Sequence, residues 1–372
     1  MTSIMKVQLR KPFFPNESML KIQHQIKDIL KSGQLTLGKR VKLFEKNFAA
    51  YCNMKYAIAV SSATAGLHIS LLSLGIKKND EVIVPAKTFI SSANAALYCN
   101  AKPIFCDVDK YTFQLDPSKI EHLITEKTKV IIPVHLGGNI CDMNKIKKIA
   151  KKYNLSIVED AAHAHGATLN GKFAGTFGKL GVFSFYPDKI MASSDGGIIV
   201  TNSRQLFDKL ILLRNVGRKE IGKYDYIEIG YNYRMNEIQA ILAQEQLRLL
   251  PRMLKKRREI AKIYDSEFKE LSNIKIQKIS QNVNSGYYAY IMKLTKGNLD
   301  KFRKKLLEKG IETSPMFTTV YNTNAYKKIE KKNYLCAISE KLDTQTFTIP
   351  LHPGLTSKQV NYVIKEIKNQ DM

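Results

Sequence analysis

Short apolar runs alternate with amphipathic helical patterns over the first two thirds of the chain. The apolar runs predict strands at residues 56–60, 81–85, 103–106, 130–134, 156–158, 182–185 and 198–201. The helical patterns fall at residues 17–30, 41–51, 65–74, 91–98 and 143–153. Short apolar strands separated by helices are typical of a mostly parallel sheet covered on both faces. Gly196-Gly197 lies so close to residues 182–185 that we expect this last pair of strands to run differently from the rest.

The pattern changes after Arg234. Residues 235–271 form one long helical stretch, which we expect Pro251 to interrupt. Strands are then predicted at residues 287–294, 311–316 and 346–351, and helices at 299–309 and 357–367. The fold class is therefore α/β, with a larger domain followed by a smaller α+β domain. We place the boundary between residues 245 and 260, which divides the chain into 1–250 and 251–372.

Composition narrows the class of protein. Hydrophobic residues make up 44% of the chain, which argues against disorder. The net charge of +26 fits a nucleic-acid binder, an enzyme with an anionic substrate or a lysine-rich proteome. The densest basic run, residues 255–258, lies in a helical pattern and no nucleic-acid-binding motif accompanies it, so we disfavour nucleic acid as a partner.

Cysteine usage and hydropathy predict the compartment. The five cysteines are widely spaced and form no C-x-x-C pair, which favours a reducing compartment. Residues 1–11 contain no secretory apolar run, and no stretch approaches the roughly 18 apolar residues that a membrane span requires. We therefore expect no membrane partner and a cytoplasmic location.

The most informative chemical feature is Lys189, which follows the strand at 182–185 and a Pro-Asp turn. Burial at the mouth of a sheet lowers the pKa of a lysine, and a neutral amine can attack a carbonyl. Ligands bind beyond the carboxyl ends of parallel strands, so other strand ends are also candidates. Asp160 follows the strand at 156–158, and a carboxylate there could hold a pyridine nitrogen in its protonated form. Taken alone, Asp160 is better explained as the cap of the following turn.

Two further strand ends could contribute to the same site. Ser62, Ala63 and Thr64 stand where a helix begins, and the free backbone N–H groups of a helix N-terminus bind anions. Ser62 could instead be only an N-cap. Phe89 follows the strand at 81–85 and could either stack on a planar cofactor or belong to the core.

Two other motifs are set aside. Residues 166–172 match the first seven positions of a P-loop, but Phe173 replaces the required Ser or Thr, so we interpret them as a hairpin loop. His163 and His165 have no further ligands at metal-site spacing, and we predict no metal.

The order of these motifs resembles that of the DegT/DnrJ group of pyridoxal-phosphate sugar aminotransferases. The resemblance runs from Leu35-Thr36-Leu37-Gly38 through SSATAGLH, VPAKTF, PIFCDVD, PVHLGG, VEDAAHAHGA, FSFYPDK, DGGIIVTN and GYNYRMNEIQA to PLHPGLT. It implies the fold type I architecture, in which a large pyridoxal-phosphate-binding domain with a mixed, mostly parallel sheet precedes a small C-terminal domain.

The resemblance also implies roles for individual residues. Lys189 resembles the Schiff-base lysine and proton shuttle, and Asp160 resembles the acid that pairs with the pyridine nitrogen. The remaining cofactor contacts fall on Ser62, Ala63, Thr64, Phe89, His163 and Ser184. Asn232 resembles the residue that reaches the phosphate of the neighbouring subunit, which implies a homodimer with shared active sites.

We therefore predict a transaminase that moves an amino group from an amino acid, L-glutamate, to a nucleotide-linked keto-sugar. An aminotransferase acting on a free cyclitol or another keto-compound is also compatible with the sequence. A sugar dehydratase of the same group is disfavoured, because such enzymes resemble this chain but carry histidine where it has Lys189. Val216, Gly137 and residues 315–319 fall at variable points of the pattern, and these positions could border the substrate.

Overall fold

The computed structural model describes residues 5–219, 224–329 and 334–371 of the chain. The strands within these ranges are β1 (Tyr56–Val60), β2 (Glu81–Pro85), β3 (Lys102–Cys106), β4 (Thr128–Ile131), β5 (Ser156–Asp160), β6 (Thr168–Leu169), β7 (Lys172–Phe173), β8 (Leu180–Ser184), β9 (Gly197–Thr201), β10 (Ile274–Ile276), β11 (Val283–Asn284), β12 (Tyr290–Leu294), β13 (Ser314–Pro315) and β14 (Thr346–Ile349).

The α-helices of the same ranges are α1 (Asn16–Ser32), α2 (Lys39–Tyr51), α3 (Ala63–Ser73), α4 (Ser91–Tyr98), α5 (Met143–Lys152), α6 (Arg204–Arg214), α7 (Glu237–Phe268), α8 (Leu299–Glu308), α9 (Asn324–Ile329), α10 (Ala337–Asp343) and α11 (Ser357–Asp371). Across the described residues, no helix is both long enough and apolar enough to cross a bilayer.

Seven strands form the large sheet, in the order β1-β9-β8-β5-β4-β2-β3. The neighbours from β8 to β3 pair in parallel, whereas β9 is antiparallel to both β1 and β8. This confirms the predicted mixed, mostly parallel sheet and the reversed strand after Gly196-Gly197. Gly196 has φ +135°, and a Cβ on Gly197 would lie 2.6 Å from the Ala63 nitrogen, so the glycine pair lets β9 pass close to the start of α3.

Alternate side chains of the large sheet build two apolar layers. Ile83 and Ile131 belong to one buried cluster, which α2, α5 and α7 also join. Val82, Val84 and Val130 belong to a second cluster, together with residues of α3, α4 and α6. This alternation is what a strand buried on both faces requires. The carboxyl ends of the parallel strands therefore open between two helical layers.

A second, antiparallel sheet forms in the C-terminal part, in the order β10-β12-β14-β13. It packs with α7, α8 and α11 in a third apolar cluster, which also includes Val7 from the N-terminal segment. Val7 pairs with Ile311 in an isolated parallel bridge. The predicted α+β character of this part is thus present, whereas the domain boundary between residues 245 and 260 stays a prediction.

Three details differ from the prediction. Helix α7 continues through Pro251 without interruption. Large apolar side chains on both sides of Pro251, among them Leu250 and Leu254, are buried, and this packing outweighs the backbone hydrogen bond that a proline removes. Strand β12 begins only at Tyr290, because Tyr287 has φ +48°. The strand predicted at 311–316 shrinks to Ser314–Pro315, and Phe317, at φ +48°, ends it.

The P-loop-like segment is a hairpin, as predicted. Strands β6 and β7 pair in antiparallel fashion. Asn170 and Gly171 connect them with φ +50° and φ +78°, the conformation that a two-residue hairpin turn favours.

Candidate active site

One cavity collects almost all of the predicted site residues. It has a volume of about 380 Å³ and lies at the carboxyl edge of the large sheet, beside the start of α3. Eight of the nine predicted residues line it, namely Ser62, Ala63, Thr64, Phe89, Asp160, His163, Ser184 and Lys189. It also includes Phe317, from the segment 315–319 that was expected to border the substrate, and Asp188 and Tyr288, which no sequence motif marks as site residues.

Lys189 lies deep in this cavity with 13% of its side chain exposed. Its Nζ is 3.2 Å from His163 Nε2 and 3.3 Å from the Tyr288 hydroxyl. The nearest carboxylate oxygen, Asp188 Oδ1, is 3.2 Å away. Burial lowers the pKa of Lys189, and the charge of Asp188 acts in the opposite direction. The amine is therefore easier to deprotonate than that of a surface lysine.

Asp160 supplies the buried carboxylate of the cavity. Its Oδ2 accepts a hydrogen bond of 2.6 Å from Ser92, and Oδ1 accepts one of 3.2 Å from the Ala162 N–H. Burial raises the pKa of Asp160, and the hydrogen bond from Ser92 opposes this. A buried carboxylate is most stable beside a cation, so this position suits a protonated ring nitrogen.

The preceding acid, Glu159, has a different environment. Its carboxylate accepts hydrogen bonds of 2.5–2.7 Å from the backbone N–H groups of Gly175, Phe177 and Gly178. It also lies 2.9 Å from His135 Nε2. These contacts tie β5 to the 175–178 loop. Because side chains alternate along β5, Asp160 faces the cavity, whereas all the contacts of Glu159 are structural.

His163 forms the aromatic wall of the cavity with Tyr288. Their rings stack with centroids 3.9 Å apart and planes 16° apart. Burial and the neighbouring Lys189 keep the pKa of His163 well below its usual range, so the ring is neutral. Its Nδ1 is buried and has no hydrogen-bond partner among the described residues. A polar atom in that situation is typical of a site that a ligand completes.

The start of α3 forms the other end of the cavity. Ser62 is the N-cap, and its Oγ accepts a 3.1 Å hydrogen bond from the Ala65 N–H. Thr64 Oγ1 lies 2.8 Å from Ser91 Oγ. Ser184, across the cavity, accepts a 3.3 Å hydrogen bond from the Tyr186 N–H. The hydroxyl groups and the first N–H groups of the helix form an uncharged donor set that is suited to a phosphate.

The N-terminal segment reaches this site. Arg10 Nη1 lies 2.5 Å from Asp188 Oδ2, and its guanidinium sits 4.6 Å from the centroid of the Tyr288 ring. The Tyr288 hydroxyl donates a 2.8 Å hydrogen bond to the same carboxylate oxygen. Asp188 therefore lies between two cations, Arg10 and Lys189. No local motif marks Arg10 or Tyr288, because tertiary packing brings both to Lys189 from distant parts of the sequence.

Asn232 is the predicted residue that does not line the cavity. It pairs with Asn215 in an isolated antiparallel bridge. Its proposed contact with the phosphate of a second subunit stays a prediction.

A second cavity, of about 450 Å³, involves none of the predicted residues. Two of its carboxylates form hydrogen bonds with their own loops. Asp109 accepts hydrogen bonds from the N–H groups of Tyr111 and Thr112, and Asp142 caps α5 by accepting one from the Lys145 N–H. The described residues also contain no group of three or more His, Cys, Asp or Glu side chains that could hold a metal ion. The chemistry is therefore concentrated in the cavity around Lys189.

Comparisons with known proteins agree with this geometry. The model of the DegT/DnrJ/EryC1/StrS aminotransferase family matches residues 17–368. The chain is 38% identical to GDP-perosamine synthase of Escherichia coli O157:H7 over 331 residues, which cover 89% of this chain and 90% of the relative. It is 35% identical to dTDP-3-amino-3,6-dideoxy-alpha-D-galactopyranose transaminase of Aneurinibacillus thermoaerophilus, over 93% of this chain and 94% of the relative.

A solved structure extends the comparison to the fold. The PLP-form of the sugar aminotransferase Spr1654 from Streptococcus pneumoniae superposes with a TM-score of 0.91 at 28% identity, covering 99% of each chain. Enzymes of this family depend on pyridoxal phosphate. The residues present fit that cofactor, because the cavity combines a buried amine, a buried carboxylate, an unpaired imidazole nitrogen and a helix N-terminus. The chain belongs to the DegT/DnrJ/EryC1/StrS family of pyridoxal-phosphate-dependent sugar aminotransferases.

Proposed function

We infer that this enzyme transfers the amino group of an amino acid, L-glutamate, to a keto-sugar linked to a nucleotide. The observation that carries the proposal is the placement of Lys189, Asp160 and the α3 N-terminus around one cavity. Two relatives whose names contain a GDP-linked and a dTDP-linked amino-sugar support the class of acceptor. The excess of positive charge suits a diphosphate-containing substrate.

Each residue has a defined task in this proposal. The N–H groups of Ala63 and Thr64, with the hydroxyls of Ser62, Thr64 and Ser184, would hold the cofactor phosphate. Asp160 would pair with the ring nitrogen, Phe89 would lie against the ring and His163 would lie near its hydroxyl. The bound cofactor supplies an electron sink for the charge left when a proton departs from the substrate carbon.

Lys189 has two tasks. It would hold the cofactor covalently at rest. Its free amine would then accept a proton from the Cα atom of the amino donor and deliver it to the C4′ carbon of the cofactor. Its depressed pKa favours the neutral form that both tasks require. The neutral His163 at 3.2 Å can accept a hydrogen bond from this amine and orient it without adding a second positive charge.

The covalent attachment is tested on the purified protein. We expect an absorbance band of lysine-bound cofactor, which borohydride reduction fixes to the peptide that contains Lys189. Lys189→Ala should lose the band and the labelled peptide. Labelling of another lysine in the wild-type protein would refute the assignment.

The acceptor is tested with the amine form of the cofactor. We expect GDP-linked or dTDP-linked keto-sugars to restore the aldehyde form, and L-glutamate to regenerate the amine form. Restoration by a free inosose alone would favour the cyclitol alternative. Loss of a sugar hydroxyl without amination would favour a dehydratase.

The subunit arrangement is tested by mixing Lys189→Ala with Asn232→Ala, because shared sites predict partial recovery of activity in mixed dimers.

A further inference from the structure

A second buried lysine holds one wall of the cavity in place. Lys87 follows β2 and is 1% exposed. Its Nζ donates hydrogen bonds of 2.9 Å to the Phe317 carbonyl and 2.7 Å to Asp343 Oδ1. The Lys87 side chain does not line the cavity, so its ammonium group is engaged by the polypeptide itself.

Asp343, at the end of α10, completes the arrangement. Both of its carboxylate oxygens lie within 3.0 Å of the Thr319 N–H. The backbone adds two further contacts, since Lys87 pairs with Thr319 in an antiparallel bridge and the Val320 N–H donates to the Ala86 carbonyl. We call Lys87 and Asp343 the clamp. It joins residues 86–87, which follow β2 of the large sheet, to residues 317–320.

The clamp fixes a residue in an unfavourable backbone conformation. Phe317 has φ +48°, a left-handed value that a residue with a large side chain adopts only when its surroundings impose it. Lys87 binds the carbonyl of Phe317 itself, and Asp343 binds the amide two residues later. The two peptide units that follow the strained residue, 317–318 and 318–319, are thereby held.

This conformation directs the Phe317 ring into the cavity. Its centroid lies 5.6 Å from that of His163, with planes 22° apart, and 5.7 Å from that of Phe89. The ring therefore stands between the side chain proposed to lie against the cofactor and the imidazole beside Lys189. A substrate bound near Lys189 must pack beside Phe317.

We propose that Lys87 and Asp343 are positioning residues that hold Phe317 as the specificity-determining wall for the sugar substrate. This inference rests on the proposed function. An amino acid donor is small, so we expect it to reach the cofactor with little contact with the Phe317 ring. A nucleotide-linked sugar is larger, and its ring needs an apolar surface at a fixed distance from the reacting carbon.

The test compares isosteric substitutions of two carboxylates, one at the end of α10 and one that contacts its start. Asp343→Asn removes the charge of the clamp at the end of α10. Asp107→Asn is the matched control, because the buried Asp107 binds the N–H groups of Ile338 and Ser339 at the start of α10 and an ion-paired lysine, Lys119. Both variants loosen the attachment of α10, but only the first reaches Phe317.

Half-reactions are followed by cofactor absorbance, with L-glutamate as the small amine and GDP-perosamine as the sugar amine. For Asp343→Asn we expect the KM for GDP-perosamine to rise roughly tenfold, within the range of a misplaced pocket contact, and the KM for glutamate to change less than about twofold. Phe317→Ala should reproduce this split, and Asp107→Asn should not. Equal changes for both amines, or the same split in Asp107→Asn, would overturn the proposal.

A second measurement does not depend on the substrate. With 4-fluorophenylalanine at position 317, we expect one ¹⁹F resonance in the wild-type and Asp107→Asn proteins and a shifted or broadened one in Asp343→Asn. An unchanged resonance in Asp343→Asn would refute the clamp. If wild-type enzyme does not react with GDP-perosamine but the resonance shifts, the choice of GDP-linked sugar fails while the positioning role stands.

Discussion

Two buried lysines at the same edge of the large sheet have opposite surroundings. Lys87, after β2, is held by a carboxylate at 2.7 Å and a carbonyl at 2.9 Å. Lys189, after β8, has its nearest polar atoms at 3.2–3.3 Å and lines the cavity. Burial lowers the pKa of both. Depth at a strand end is therefore not enough to identify a reactive amine, and the strength of its partners separates the structural lysine from the proposed catalytic one.

The same substitution at both positions gives the largest expected contrast. Lys189→Met should lower turnover by ~10³-fold or more, because it removes both the attachment point and the proton carrier. Lys87→Met should retain covalently bound cofactor and most of the glutamate half-reaction. Single-turnover absorbance measures both variants. Comparable losses at the two positions would show that the difference in partners has no catalytic meaning.

Stability should change in the reverse order. Lys87→Met breaks a buried ion pair and should lower the free energy of unfolding by about 3 kcal/mol. Lys189→Met removes a desolvated amine with long contacts, so we expect no loss, or a gain of up to ~1 kcal/mol, in the cofactor-free protein. Urea unfolding of both cofactor-free variants checks this. A larger loss for Lys189→Met than for Lys87→Met would contradict the comparison.

The sequence predicts the large sheet well because each strand is a continuous apolar run between turn residues. It fails at the start of β12 and at β13, where Tyr287 and Phe317 adopt positive φ values that no local propensity favours. It also fails at Pro251, where packing on both sides of the proline keeps α7 intact.

The site shows the same division. Residues next to strand ends, such as Asp160 and Lys189, could be placed at one edge from topology alone. Lys87 stands in the VPAKTF motif, where the sequence directed attention to Phe89. Its role was not visible because Asp343 lies 256 residues away. Tyr288 and Arg10 escaped notice for the same reason.

The pH dependence of cofactor binding tests the surroundings of Lys189 directly. Only its neutral form attacks the aldehyde, so reconstitution of the cofactor-free protein should accelerate with rising pH, with a midpoint below the ordinary pKa of lysine. Asp188 stabilises the ammonium form, so Asp188→Asn should move the midpoint lower still. Stopped-flow absorbance across pH measures both. An unchanged or higher midpoint would show that Asp188 does not stabilise the charge on Lys189.

Linkage gives a second readout of this amine. Because the folded pKa of Lys189 is depressed, the unfolded chain binds more protons between the folded and the unfolded pKa. Lys189 should therefore make the free energy of unfolding of the cofactor-free protein increase with pH between these two pKa values. Lys189→Met should lack the contribution, and the difference between the two unfolding curves isolates it.

Arg10 should have the smallest and opposite effect. It lowers the pKa of Lys189 through its positive charge, and it also occupies Asp188, which would otherwise pair more strongly with Lys189. Both influences disappear in Arg10→Met, so the reconstitution midpoint should move up. The shift should be smaller than that of Asp188→Asn, because Asp188 contacts the Lys189 amine directly at 3.2 Å, whereas Arg10 pairs with Asp188. Arg252→Met is the matched control, since that arginine also stacks on an aromatic ring, Phe13, but forms no ion pair with Asp188. If the midpoint moved down in Arg10→Met, or moved equally in Arg252→Met, then the Arg10–Asp188 pair would not control the pKa of Lys189.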